Sequence, residues 1–406
     1  MKSLKRIPLL KDHHTHPYLY AALAHCPDIS SVMLKSEALC RIGEGFSGEG
    51  IAVVTGWNDS YFAFDEVELD ALPPLVVFNV SLHSLRLNAG AREKLVRSFP
   101  ELVDNFRNNT WIERNASLVL NFLITMKPCN AEQLRAFYHH LAKLGVWHAE
   151  EMSLKDEGEI ELFREAGLLD RTRFWTDLKT FESLSEDGRE QVYGIKLFTD
   201  GALGAQSARL AGSYLSGTEG IAVYGDDELG WLISGAFHTG KAVALHAIGD
   251  AALDQTVRVL AQVAGSRQGP PETRIEHCQF ISRETAFKAK SMGIILSMQP
   301  NFSLDSICYS DRLPAGYPLR NNPFRMLLDE AGFIAGRDLI FGSDGMPHGI
   351  RCALESALFP PFPSQRLTLD EFTAGYCMPD YRKGHIDLSI DYEGRSVETE
   401  VVLNEP

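Results

Sequence analysis

No apolar run in the sequence approaches the roughly 18 residues that a membrane-spanning helix needs, so no candidate transmembrane segment is present. None of the seven cysteines forms a Cys-x-x-Cys pair, which removes zinc-knuckle and dithiol redox spacings. Their odd number, at positions 26, 40, 129, 278, 308, 352 and 377, reads as reduced, mostly buried thiols and predicts a cytoplasmic protein. Met1–Leu10 carries three basic side chains but lacks the roughly 7–15-residue apolar region of a signal peptide. Positive charge is in deficit: 39 Lys and Arg face 54 Asp and Glu, a net charge of −15. Such a chain repels phosphate backbones and anionic lipid, so neither nucleic acid nor a membrane is an expected partner. Low-complexity stretches and solenoid-period repeats are also missing.

What does recur is a sequence of element types. Short apolar strands alternate with amphipathic helical segments, the pattern of βαβ units. Eight strands are predicted: Pro8–His16, Val146–Met152, Arg173–Leu178, Gly194–Asp200, Ala242–His246, Thr273–Cys278, Gly293–Met298 and Asp338–Gly342. Helices are predicted over Ala251–Ala264, Glu284–Met292 and Pro323–Ala331. The expected fold is α/β, a (β/α)8 TIM barrel over about residues 1–380. Between the first two strands lies an insertion of about 130 residues, roughly 17–145. Its aromatics (Trp57, Tyr61, Phe62, Phe64, Trp111) suggest a lid or substrate-facing subdomain, with peripheral packing the equal alternative. The C-terminal stretch 381–406 alternates and predicts a two-stranded hairpin turning at Glu393-Gly394.

The chemistry-bearing residues fall at predicted strand ends. In Asp12-His13-His14-Thr15-His16, alternation puts His14 and His16 on one face, where two imidazoles suit a divalent metal, although a His-x-His also arises in surface loops. His13 should face the other way. His246 ends Ala-Val-Ala-Leu-His and His277 ends Thr-Arg-Ile-Glu-His; each alone would be a satisfied structural histidine, but barrel strand ends share one mouth. Asp344, in Gly-Ser-Asp-Gly, is either a metal-binding proton acceptor or a turn and capping residue. Lys196 lies in a strand predicted to be buried, where it needs either a partner such as Asp200 or a lowered pKa; a neutral amine there can take up carbon dioxide as a carbamate.

In order and kind, His14, His16, Lys196, His246, His277 and Asp344 resemble the ligand set of the binuclear amidohydrolase superfamily. Ile-Lys-Leu-Phe-Thr-Asp-Gly-Ala-Leu-Gly, His-Ala-Ile-Gly-Asp-Ala-Ala-Leu-Asp, Arg-Ile-Glu-His-Cys-Gln and Gly-Ser-Asp-Gly-Met-Pro are similar to the YtcJ-like branch, which includes N-acyl-aromatic-amine deformylases. The resemblance covers about residues 8–376, weakest in the insertion, where Gly56-Trp57-Asn58 and the stretch around His83 carry it. It departs at Ala205-Gln206, where the branch often has Ser-Arg, and in its β-sandwich, which is reduced here to little more than the final hairpin or is absent.

The resemblance implies two divalent metals, zinc by family habit, with manganese, iron or cobalt compatible with the same donors. His14, His16 and Asp344 would hold one, His246 and His277 the other, bridged by a carbamate on Lys196 and a hydroxide. It implies hydrolysis of a C–N amide (N-acyl) bond of a small molecule, with Asp344 moving the proton. Esters, lactones, phosphotriesters and deamination are alternatives on the same site, and a non-catalytic metal-binding barrel is a third class. Substrate contacts are assigned to Asp200, Gly201 and His83, against loop ordering for Asp200 and a satisfied structural histidine for His83. Glu276 is expected to point away from His277 into an ion pair, and His148 to end the second strand near the mouth. A homodimer is compatible with such a barrel.

Overall fold

The computed structural model describes residues 2–44, 50–265 and 271–404. Its strands, in chain order, are β1 (Lys2–Pro8), β2 (Leu10–Thr15), β3 (Ala52–Trp57), β4 (Leu75–Asn79), β5 (Leu85–Leu87), β6 (Val146–Glu151), β7 (Thr172–Thr176), β8 (Val192–Phe198), β9 (Ala242–Ala247), β10 (Thr273–His277), β11 (Ile295–Met298), β12 (Leu339–Phe341), β13 (Gly384–Asp391) and β14 (Ser396–Leu403). Eight of them form one parallel sheet in the order β12-β11-β10-β9-β8-β7-β6-β2, with helices in the crossovers. This is the expected (β/α)8 barrel, and each of its strands overlaps a segment that alternation and apolar runs predict.

Side-chain alternation sorts the barrel residues. Val243, Leu245, Ile275 and Ile195 join the main core between sheet and helices. Ala242, Ala244, Trp175 and Met152 form a separate small cluster on the inner side. Gly194 lies one pleat below Lys196, and a Cβ there would fall 2.2 Å from the Trp175 ring, so glycine admits the indole to the barrel interior. The sheet closes through side chains and one backbone bond between its edge strands. Asp12 accepts hydrogen bonds from Ser343 N at 2.9 Å and from Ser343 Oγ, and Asp344 N donates to His14 O at 2.7 Å.

Two smaller sheets flank the barrel. The predicted hairpin is present as β13 and β14, and β1 pairs antiparallel with β13, from Lys2 opposite Asp391 to Pro8 opposite His385. The reduced sandwich is therefore a three-stranded sheet that recruits the N-terminal strand rather than a hairpin alone. Within the insertion, β3, β4 and β5 form the third sheet. Val54, Trp57, Leu75 and Val77 face a local cluster with Ile29 and Val32, while Val53, Val76 and Phe78 join the main core, which is why β4 reads as an unbroken apolar run. Phe62 and Phe64 pack on this local cluster beside Trp57, so these three aromatics mainly build the insertion's own core. The helix Ala131–Lys143 buries Leu134, Tyr138 and Leu141 in the main core and leads directly into the second barrel strand. Among the described residues no helix is long and apolar enough to cross a membrane.

Candidate metal centre and reaction cavity

At the C-terminal ends of the strands, His14, His16, Lys196, His246, His277 and Asp344 line one cavity of about 70 Å³. They come from β2 and its end, β8, β9, β10 and the turn after β12. His14, His16 and Asp344 each offer a ligand atom within 4.8 Å of the others. Asp344 Oδ1 is 3.5 Å from His16 Nε2 and 3.7 Å from His14 Nε2. The His277 ring lies 4.6 Å from that of His14 and 4.5 Å from that of His246, centroid to centroid. The six residues of the expected ligand set are thus brought together.

Two of them depend on backbone conformations that strand periodicity does not contain. Alternation along β10 turns Arg274 and Glu276 inward and would turn His277 outward. His277 instead has φ +72°, in the left-handed region, and this returns its ring to the mouth. Asp344 has φ +54° and sits within a tight turn, Ser343 to Met346, whose end carbonyls are clamped by Asn301: the Asn301 Nδ2 donates to Ser343 O at 3.0 Å and Met346 O at 2.7 Å. Tyr20 Oη donates to the Asp344 carbonyl at 2.9 Å.

The imidazoles share a wiring pattern. His14 Nδ1 donates to Glu276 at 2.6 Å, and His277 Nδ1 donates to Gln299 Oε1 at 2.8 Å. His16 Nδ1 pairs with Ser153 Oγ at 2.9 Å, and His246 Nε2 donates to Gly201 O at 3.1 Å. Each ring therefore has one nitrogen anchored by protein and the other left for the centre, as in metal-binding histidines. Burial, reinforced by Lys196 and neighbouring rings, holds His14, His246 and His277 well below the usual imidazole range, which keeps them in the neutral form that ligates. Burial also draws the Lys196 amine down to about 8, against the opposing pull of Glu276 and Asp344. The same desolvation raises Asp344, opposed by His16 and Lys196. Four imidazoles, one carboxylate and a softened amine, brought to one mouth from five strand ends, fit one or two divalent cations.

Beneath these six residues the barrel interior is charged. Glu276 forms an ion pair with Arg274 Nε, and Arg274 Nη1 reaches Glu150 at 2.9 Å. Glu150 also accepts from Trp175 Nε1 at 2.7 Å and His13 Nδ1 at 2.9 Å. Glu276 makes the expected ion pair, but it also reaches His14 across the barrel, which alternation along a single strand cannot reveal. His148 differs from expectation: it lies opposite Lys11, two residues into β6, and Ser153, in the turn after the strand ends at Glu151, instead meets His16.

The residues assigned to substrate are placed differently from one another. His83 lines the cavity, beside His246 at 5.8 Å between ring centroids. Its Nδ1 donates to Glu113 at 2.7 Å; burial disfavours charging the ring, yet Glu113 holds its pKa above the usual value. Asp200 is fully buried and its carboxylate accepts from Ile248 N at 3.0 Å, Gly249 N at 2.9 Å and Arg209 N at 2.9 Å. It orders the loops after β8 and β9, and neither it nor Gly201 is among the residues lining the cavity. Gly201 contributes its carbonyl to His246. Sequence reasoning missed Glu113, Glu276 as a partner of His14, Gln299, Ser153 and Asn301; for all but the half-buried Ser153 the signal was a polar residue at a buried position. A larger cleft of about 740 Å³ adjoins the cavity and shares Glu113, Ala116, Lys196 and Phe198 with it.

A family model described as the amidohydrolase family matches residues 7–357. The chain is similar to the putative amidohydrolase YtcJ of Bacillus subtilis (strain 168), 36% identical over 114 residues, or 27% of this chain and 20% of that one. It is also similar to the protein LONG AFTER FAR-RED 3 of Arabidopsis thaliana, 26% identical over 261 residues, or 59% of this chain and 44% of that one. Both alignments thus span less than half of these relatives' length. Two solved structures share the fold: an uncharacterized metal-dependent hydrolase from Pyrococcus furiosus (TM-score 0.65, 19% identity, 96% of this chain and 88% of that chain) and one from Pyrococcus horikoshii OT3 (TM-score 0.64, 21% identity, 88% and 74%).

Proposed function

Since the chain belongs to the amidohydrolase family, we propose that it is a metal-dependent amidohydrolase that cleaves a C–N amide (N-acyl) bond of a small molecule. The observation that carries this reading is the wiring of the four imidazoles: each has one nitrogen anchored by protein, and all four rings line a cavity that also holds Lys196 and Asp344. His14, His16 and Asp344 would hold one divalent cation, His246 and His277 a second, with Lys196, as its carbamate, between them. When bound, such cations, zinc by the nitrogen-rich donor set, polarise a carbonyl and bring the pKa of water toward about 7.

The remaining work falls to side chains. The lowered pKa of Lys196 raises the share of its neutral amine, whose nitrogen lone pair would bond the carbon of carbon dioxide while one N–H proton is released to water, giving an oxygen donor where a cationic amine would repel metal. Glu276 keeps the His14 ring in the Nδ1–H tautomer and so leaves Nε2 free. Asp344, raised by burial, accepts at its carboxylate the proton lost when water adds to the carbonyl carbon. It then returns that proton to the leaving nitrogen as the C–N bond breaks, a transfer that an amine leaving group requires. The ~70 Å³ around the ligands accommodates the scissile group, and the rest of a substrate extends toward the adjoining cleft.

The test is metal content per chain on protein purified without chelator in bicarbonate, followed by turnover of N-acyl anilides. Near two equivalents of metal, a fall in metal on Lys196→Ala, and turnover abolished by Asp344→Asn with metal retained are the expected results. No metal after reconstitution, or undiminished turnover by Asp344→Asn, would overturn the reading.

A further inference from the structure

One buried carboxylate at the cavity has no part in the scheme above. Glu113 lies on the insertion helix Asn109–Arg114, is 1% exposed, and lines both the reaction cavity and the adjoining cleft. Both of its oxygens are engaged. Oε2 accepts from His83 Nδ1 at 2.7 Å, and Oε1 accepts from Ser207 Oγ, on the loop after β8. Ser207 Oγ in turn accepts from Ala202 N at 3.0 Å. Residue 201 must be glycine for this network to exist: a Cβ there would lie 2.1 Å from Glu113 Oε1 and 2.2 Å from Ser207 Oγ. The carboxylate therefore joins two parts of the insertion to a barrel loop at the edge of the site.

His83 repeats the wiring of the ligand histidines, one nitrogen anchored and one facing the cavity, but it comes from the insertion and not from a barrel strand. Its anchor is a carboxylate, which as an acceptor commits Nδ1 to carry hydrogen. That leaves Nε2 as the polar atom His83 presents to the cavity, alongside His246. A histidine needed only to tie the insertion down would have no reason to line the reaction cavity while a buried carboxylate fixes its ring.

We propose that Glu113 is a positioning residue, which holds His83 so that its Nε2 hydrogen-bonds the scissile amide group of the substrate. The insertion then completes the active site: the barrel supplies the ligands, and the insertion supplies the group that meets the substrate. This inference rests on the amidohydrolase reading, and the experiment separates the two.

The variants are His83→Asn, Glu113→Ala, Glu113→Asp and the His83→Asn/Glu113→Ala double, each compared with the parent protein loaded with zinc in bicarbonate. The probe is p-nitroacetanilide. Metal content should be unchanged in all of them; metal lost with His83→Asn would make His83 a ligand and overturn the assignment. Each of His83→Asn and Glu113→Ala should lower kcat/KM at least about tenfold, and the double should be no worse than either alone, because the two act as one unit. Glu113→Asp should recover part of the loss. Multiplicative losses, or a Glu113→Ala variant with parental kinetics, would refute the pairing. In protein labelled with nitrogen-15 at histidine, the His83 ring should show a protonated Nδ1 in the parent and lose that signature in Glu113→Ala. A metal-loaded parent that leaves p-nitroacetanilide intact counts against the amide reading alone. The positioning role is then decided by NMR: the His83 Nε2 resonance must move on titration with p-nitroacetanilide in the parent and not in Glu113→Ala, and an unmoved parent resonance overturns it.

Discussion

Arg274→Met in the metal-free protein is the sharpest test of how the barrel interior is held. Arg274 is 1% exposed and lies between two carboxylates, Glu276 at its Nε and Glu150 at 2.9 Å from Nη1, both fully buried. Its guanidinium also covers the Trp175 ring at 4.0 Å and donates to His13 O at 3.0 Å. At an effective dielectric of about 20, one such contact contributes roughly 4–6 kcal/mol of Coulomb energy, most of it offset by the cost of desolvating the ions. Methionine fills a similar volume, so the packing loss is small, but Glu150 and Glu276 remain buried without a cation. Breaking a buried pair in this way costs about 3–5 kcal/mol. Urea unfolding followed by circular dichroism should show that loss as a lower midpoint at similar slope. Adding Glu150→Gln should return more than about 1 kcal/mol, since one stranded charge is removed. Glu150, held well below the usual carboxylate range by Arg274 and His13 despite its burial, should rise in the single variant, so that its stability approaches the parent's as pH falls below about 5. A loss under about 1 kcal/mol, or a double variant no more stable than the single, would refute the account.

Other expectations follow from the same interior. Glu276→Gln should weaken zinc affinity by about 10–100-fold in competition with a chelator, since it removes the charge that fixes the His14 tautomer; unchanged affinity would separate Glu276 from the metal site. Gly194→Ala should destabilise by more than about 2 kcal/mol in thermal unfolding, because its Cβ would meet the Trp175 ring at 2.2 Å in a closed interior. His348, packed against Tyr20 and Phe137, is pushed down to about 3 by burial. Its folded pKa lies below the unfolded value of about 6.5, so the unfolded chain takes up the extra proton and stability falls as pH drops below about 6.5. At pH 5 this amounts to about 2 kcal/mol, and His348→Gln should flatten the pH dependence of urea stability by that amount between pH 7 and 5. Chelation should lower the melting temperature of the zinc-loaded protein and leave that of metal-free protein unchanged.

Much of the barrel is legible because its causes are local. Alternation along Ala242–Ala247 and apolar runs such as Val192–Phe198 depend only on neighbouring residues, and so do the strand ends at which His14, His246 and Asp344 fall. The hairpin of β13 and β14 is equally local, since alternating residues meet across a short turn. The recruitment of β1 to that hairpin is not, because its partner lies more than 370 residues away and no pattern within Lys2–Pro8 specifies it. The same holds for the site. His277 reads as a strand-end histidine, but its inward aim comes from a φ of +72° that only the surrounding packing enforces. Asp200 reads equally well as a substrate contact or a loop anchor until three amides are found on its carboxylate. Glu113 carries no recognisable motif; it matters because folding brings an insertion helix, the turn between β4 and β5 and a loop after β8 to one point. Composition, periodicity and the order of histidine, lysine and aspartate along the chain thus determined the barrel and which side chains reach its strand ends. Which nitrogen each imidazole offers, which carboxylates brace them and what the insertion adds were decided by tertiary contacts between distant segments, because hydrogen-bond partners and backbone strain are properties of the assembled mouth and not of any stretch of sequence.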